Sequence, residues 1–208
     1  MHDVQVLLDM DGVLTNWWMD AFKVHDVVAT EAEIWKDKLG HYGWVELMKP
    51  FKPDLSVREF WAPMEYDFWA NLQPLRDAIE IVTMLEDRYG QRNITLCTSP
   101  SENHGCVPGK KAWIRKILAP HYHKSYNQQF GAKKWLNANP RSILVDDHAE
   151  NCTAFYEHGG HSVLVPRIWN PNHMQRHNVI PAMKIQLDRI DEIIKANHST
   201  IQGVKGVF

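Results

Sequence analysis

Cysteine is scarce. Only Cys97, Cys106 and Cys152 occur in 208 residues, with no CxxC pair and no even set, so a disulfide framework is excluded and a reducing, cytoplasmic setting is expected. Net basic charge is also missing. The formal net charge of −2 supplies no global field for a long polyanion, which argues against polymeric nucleic acid and for a small ligand. No apolar run approaches the roughly 20 residues of a membrane-spanning helix, so no membrane partner is expected. The opening MHDVQVLLDMD has neither the basic region nor the apolar core of a secretory leader, and none is expected. Repeats and low-complexity tracts are absent, which sets aside solenoids and long linkers. The twelve histidines are scattered without the tight clusters that zinc requires.

What the chain does have is concentrated in Val4–Trp17, VQVLLDMDGVLTNW. The apolar run Val4–Leu8 predicts a buried strand, as found in parallel sheets covered on both faces. It ends in Asp9-Met10-Asp11-Gly12, where the glycine lets the chain turn away at once. Open α/β sheets bind ligands beyond the carboxyl ends of their strands, so the spacing puts two acids in that crevice. One carboxylate can attack an electrophile and form a covalent intermediate. The other can protonate a leaving group and then serve as base for water. Two neighbouring like charges call for a cation or a shared proton, and Mg²⁺ suits a site of oxygen ligands and phosphate. A calcium loop would need further ligands and a glutamate at its twelfth position, whereas Val13 and Leu14 follow the glycine here.

The length fits one large domain, or a domain with a small insertion. Residues 15–72 are crowded with aromatics, interrupted by Pro50, Pro53 and Pro63, and predict several short helices and no strand. From Leu75 to Tyr89 the apolar spacing predicts an amphipathic helix ended by Gly90. Strands are expected at 93–97, 125–127, 142–145 and 162–165. Helices are expected at 110–118, 132–136, 150–158 and 182–196, with 198–208 as a frayed tail. Alternating strands and helices argue for an α/β fold: a doubly wound, Rossmann-like parallel sheet core (1–14 and 73–197) with a small all-helical cap (15–72) inserted after the first strand.

Three of these strands end in polar groups: Asp9 and Asp11, then Thr98 and Ser99, then Asp146 and Asp147. In a parallel sheet these ends share one edge. Hydroxyl and backbone N–H groups after Cys97 can hold phosphate oxygens, a lysine can balance the charge, and Asp146 can complete a Mg²⁺ shell. Cys97 and Cys106 read as packing residues. His148, directly after the acid pair, is the histidine nearest this edge in sequence.

The segments DMDGVLTNW, LCTSP, CVPGKKAW and ILVDDHAEN together resemble the haloacid dehalogenase-like hydrolase superfamily. Within it they are most similar to the 5′(3′)-deoxyribonucleotidases, over residues 4 to about 166. The resemblance implies a phosphoric monoester hydrolase working through an aspartyl phosphate, with Asp9 as nucleophile and Asp11 as general acid and base. It implies Mg²⁺ on Asp9, the Asp11 backbone carbonyl and Asp146, and phosphate on Thr98, Ser99 and Lys110, with Asp147 in support. Lys111, Lys133 and Lys134 stay open as alternatives to Lys110. An aromatic pair in the cap would line the base pocket, with Phe68 and Trp69 first and Trp17 and Trp18 next. The expected partner is a small nucleotide, and a homodimer is left open. Rival readings are a phosphatase of the same chemistry on another small phosphoester or on nucleic-acid 3′-phosphate ends, and a catalytically silent nucleotide-binding protein.

Overall fold

The structure is a computed structural model that describes residues 4–118 and 126–205, with side-chain surroundings to residue 197. Among the described residues five parallel strands form one sheet in the order β3-β2-β1-β4-β5. They are β1 (Gln5–Leu8), β2 (Ile94–Thr98), β3 (Asn127–Phe130), β4 (Ser142–Asp146) and β5 (His161–Leu164). The apolar opening run becomes the central strand, with Leu8 aligned to Leu96 on one side and to Val145 on the other. Alternation splits it between two faces. Val6 and Leu8 enter the large core cluster, while Leu7 meets Cys97, Leu144 and Phe155 on the opposite face.

Helices α1 (Trp17–Val24), α2 (Glu31–Ile34), α3 (Trp44–Met48), α4 (Val57–Trp61) and α5 (Tyr66–Ala70) all lie between β1 and α6 (Ala78–Tyr89). Two of these short helices start from capping boxes, Thr30 with Glu33 and Ser56 with Glu59, which satisfy free N–H groups that four- and five-residue helices otherwise leave bare. Then follow α7 (Cys106–Ile117), α8 (Ala149–Glu157) and α9 (Val179–Lys205). The chain winds outward from β1 through β2 to β3, then crosses back to β4 and β5. The reversal falls between β1 and β4, the place where open sheets form a ligand crevice.

Several boundaries differ from the sequence expectation. The strand expected at 125–127 lies at Asn127–Phe130; it is a polar edge strand with little apolar pattern to read, and Ser125 is outside the described residues. The helix expected at 132–136 is a 3₁₀ turn, Lys134–Asn137. Helix α7 begins at Cys106, so Pro108 and Gly109 are inside it rather than before it. Proline at the third helical position forfeits no intrahelical bond, because the first-turn N–H groups have no partner within the helix. The same holds for Pro181 in α9, which runs Val179–Lys205 rather than 182–196 and takes in most of the stretch read as a tail. Among the described residues no helix is long and apolar enough to cross a membrane.

Candidate active site

The β1 ladder continues one residue past the strand, where Asp9 N–H donates to Val145 O at 2.9 Å. That bond aligns Asp9 beside Asp146 at the end of β4. The chain then folds into a tight loop, with Leu14 and Thr15 N–H groups donating to Met10 O at 2.8 and 2.9 Å. Gly12 has φ +81°, and a Cβ there would stand 2.1 Å from Asp147 Oδ2. Glycine is required twice over, for its backbone angle and for the approach of Asp147.

Two buried lysines divide the carboxylates between them. Lys134 Nζ lies 2.8 Å from Asp9 Oδ1 and 2.6 Å from Asp146 Oδ2. Lys110 Nζ pairs with Asp11 Oδ2 and donates to Thr98 Oγ1 at 2.8 Å and Ser99 O at 3.0 Å, beneath the Trp69 ring. Lys110 is fully buried and is absent from the cavity wall, which Lys134 does line. Lys110 thus joins the expected acid, Asp11, to the expected phosphate residues Thr98 and Ser99 from beneath the cavity floor, and Lys134, one of the alternatives, lines the cavity. Thr98 is buried as well, leaving Ser99 as the cavity-lining member of that pair. Lys111 instead sits over the Phe130 ring.

Burial dominates the electrostatics. It pushes Asp9 up to about 7, a rise that Lys134 opposes and that Asp146 and Asp11 add to. Asp147 is raised well above the carboxylate range by burial, then by Asp146 and Asp9. Burial works against a charged Lys134, yet Asp146 and Asp9 outweigh it and hold the ammonium above the ordinary lysine range. The oxygens of Asp9, Asp146 and Asp147 lie within 4.8 Å of one another. Asp9 Oδ1 has the Lys134 charge nearby but no donor in hydrogen-bonding geometry. A buried carboxylate that meets a single cation and faces two further acids is a fit for a hard divalent cation, and the side-chain cluster able to hold one is Asp9, Asp146 and Asp147.

The surroundings hold these acids still. Asp146 accepts from His148 N–H at 2.8 Å and from Asn151 Nδ2 at 3.1 Å, both at the start of α8. Asp147 Oδ2 accepts from Trp169 Nε1 at 2.5 Å, and Asn170 Nδ2 donates to Asp147 O at 2.8 Å. Arg167 donates to Gly12 O at 2.7 Å and Val13 O at 2.9 Å, and grips Asp77 through two bonds. Sequence reasoning missed Arg167, Trp169 and Asn170, because a segment after the last strand carries no local sign of contact with residues 12 and 147. Asn151 was readable in principle, five residues after Asp146 at a helix start.

A cavity of about 910 Å³ opens above Asp9, Asp11, Ser99 and Lys134. Of the four aromatic candidates, Trp17 and Trp69 line it and Phe68 and Trp18 do not. Phe68 packs edge-on against Trp69. Trp18 is 1% exposed, enclosed by Trp35, Tyr42 and Trp169; it organises the helical segment from within. Tyr42 and Trp61 also line the cavity, Trp61 lying parallel to Trp17 at 6.1 Å. Arg58 is the exposed cation of this wall. His148 lines the cavity and packs at a tilt against Tyr42, ring centroids 4.1 Å apart. A separate cavity of about 570 Å³ beside Arg167 contains none of the strand-end acids.

Solved structures with this fold include a hydrolase from Streptococcus pneumoniae TIGR4, 10% identical over 84% of this chain and 98% of that one, with a TM-score of 0.50. Another is a haloacid dehalogenase-like (HAD) hydrolase, family IA variant 3, from Entamoeba histolytica, 13% identical over 92% and 99%, also at 0.50. The five-stranded parallel sheet thus defines a protein of the HAD hydrolase fold. More narrowly, residues 2–182 match the family described as "5′ nucleotidase, deoxy (Pyrimidine), cytosolic type C protein", and the chain belongs to that family. A curated relative is the human 5′(3′)-deoxyribonucleotidase, cytosolic type, 25% identical over 123 residues, or 58% of this chain. The match spans about three-fifths of that relative's length, 61%.

Proposed function

We propose that this chain is a Mg²⁺-dependent phosphatase of nucleoside monophosphates, a 5′(3′)-deoxyribonucleotidase acting through an aspartyl phosphate. The observation that carries the reading is one cavity with two unlike ends: the Asp9 carboxylate, ion-paired with Lys134 beside Asp146 and Asp147, and the rings of Trp17, Tyr42, Trp61 and Trp69. Aromatic faces hold a nucleobase without regard to its edge pattern, while the strand ends hold phosphate.

In this reading an Asp9 oxygen attacks phosphorus in line. The bond from phosphorus to the nucleoside oxygen breaks, and Asp11 gives that oxygen its proton. Asp11 then takes a proton from water as the water oxygen attacks the aspartyl phosphate. The bond to Asp9 breaks, inorganic phosphate leaves, and both carboxyl groups return to their starting states. Asp9, Asp146 and Asp147, with the Asp11 carbonyl, would hold Mg²⁺, which supplies neutralisation of the crowded negative charge. Ser99 and Lys134 bind phosphate oxygens. Residues 15–72 act as a cap over the core of 1–14 and 73–197. Three buried, unpaired thiols favour a reducing compartment such as the cytoplasm.

The test is phosphate release from a panel of nucleoside monophosphates, sugar phosphates and 3′-phosphorylated oligonucleotides, with and without Mg²⁺. Mg²⁺-dependent release from mononucleotides, reduced on the order of 10³-fold or more in Asp9→Asn, is expected. Turnover confined to sugar phosphates or oligonucleotide ends would replace the substrate assignment. Full turnover by Asp9→Asn would remove the mechanism.

A further inference from the structure

Five buried side-chain atoms lack a hydrogen-bond partner among the described residues: Asp9 Oδ1, Asn16 Oδ1, Trp18 Nε1, Gln91 Nε2 and Ser101 Oγ. Only those of Asp9 and Ser101 belong to residues lining the 910 Å³ cavity. The first is the proposed nucleophile. The second has no part in the chemistry above, and a buried hydroxyl without a partner is unfavourable unless something else supplies one.

Resting on the nucleotidase reading, we propose that Ser101 Oγ hydrogen-bonds a pentose hydroxyl of the substrate and so makes the site selective for the sugar. Its place in the cavity carries this. Ser101 is two residues beyond Ser99, and two residues of chain reach at most about 7 Å. Both residues line the same cavity, so a nucleotide with its phosphate at Ser99 would bring its adjoining sugar within reach of Ser101. A serine hydroxyl can both donate and accept, as can a sugar hydroxyl.

The loop is also fixed in place. Ser101 N–H donates to Cys106 Sγ at 3.3 Å, in the first turn of α7. Asn103 Oδ1 takes the Gly105 N–H at 2.7 Å. Helix α7 in turn abuts α5 so closely that a Cβ on Gly105 would lie 2.3 Å from Tyr66 N, and one on Gly109 2.6 Å from Tyr66 O. Ser101 therefore stands on a rigid support between the phosphate end and the aromatic end. Pre-organised hydroxyls of this kind discriminate strongly, because a substrate lacking the matching group leaves them unpaired.

The experiment compares kcat/KM for ribo-, 2′-deoxyribo- and 2′,3′-dideoxyribonucleoside 5′-monophosphates of one base, with Mg²⁺, in the wild-type enzyme and in Ser101→Ala. Circular dichroism and thermal melting check that the variant is folded, and Ser101→Thr, which keeps the hydroxyl, is the conservative control. In the wild type the substrate that offers the recognised hydroxyl should exceed its counterpart lacking it by about tenfold or more, the worth of one buried hydrogen bond. The deoxy–dideoxy pair reports on the 3′ hydroxyl, the one a deoxyribonucleotide offers, and the ribo–deoxy pair on the 2′ hydroxyl, whose recognition would overturn the deoxyribose preference of the nucleotidase reading. In Ser101→Ala that ratio should fall toward one, and Ser101→Thr should restore part of it. Identical ratios in wild type and Ser101→Ala would overturn the proposal while leaving the nucleotidase reading intact. Hydrolysis of none of these nucleotides by the wild type would overturn both.

Discussion

Asp9 and Lys134 are the pair on which the local chemistry turns. An aspartate 6% exposed among other acids would favour its neutral form, and it titrates near 7 only because Lys134 offsets part of the burial. Lys134→Met should lower kcat by about 10²–10³-fold, the usual loss when one pre-organised electrostatic partner is removed. Steady-state kinetics with saturating Mg²⁺ would measure it; near-wild-type kcat would mean another cation serves the phosphate. A quieter prediction concerns the thiols. Burial pushes Cys97 up to about 11 from 9.0 and holds Cys152 well above its ordinary value. A thiol raised on folding contributes stability that is present below about 9 and lost as pH climbs toward 11. At about pH 8 both cysteines should therefore resist iodoacetamide until the protein is unfolded, as mass spectrometry of native and denatured samples would reveal. Equal labelling rates would contradict their enclosure. At this scale the sequence disclosed Asp9, Asp11, Asp146 and Asp147 through their spacing from apolar runs. It left four lysines open, because which lysine reaches a carboxylate is decided by packing around residues far apart in the chain.

At the scale of elements, the loop after β1 is held by a strut from beyond β5. Arg167 joins Gly12 O, Val13 O and Asp77, and is itself 6% exposed. Removing one partner of a buried, hydrogen-bonded ion pair leaves the other charge stranded, so Arg167→Ala should destabilise the fold by about 3–5 kcal/mol. Denaturant unfolding would report it. A loss within about 0.5 kcal/mol, as for an ordinary surface substitution, would mean that the contact is dispensable. The helices with regular apolar spacing were legible, α6 among them, and so were β1, β2 and β4 as apolar runs ending in polar groups. The polar edge strand β3 was misplaced, since its neighbours rather than its own pattern define it. The starts of α7 and α9 fall earlier than the expected 110 and 182, and in each a proline, Pro108 or Pro181, occupies the first turn.

For the whole molecule, function follows from topology. The winding of the chain reverses between β1 and β4 while the strands stay parallel, so acids separated by more than a hundred residues meet at the crevice, opposite the aromatic wall supplied by residues 15–72. The alternation of strands and helices made this sheet legible, and the aromatic crowding announced that segment. Which rings face the cavity was not legible: Trp18, Trp35 and Trp169 pack together as an interior, and nothing in their spacing separates them from Trp17 and Trp61. The central claim is that Asp9 becomes covalently phosphorylated. Acyl phosphates are reduced by borohydride, so the direct measurement is to quench the enzyme during turnover of a nucleoside monophosphate, treat it with borohydride and sequence its peptides by mass spectrometry. The account predicts homoserine in place of Asp9, dependent on substrate and Mg²⁺ and absent from Asp9→Asn. An unmodified Asp9 during confirmed turnover, or homoserine at another aspartate, would contradict it.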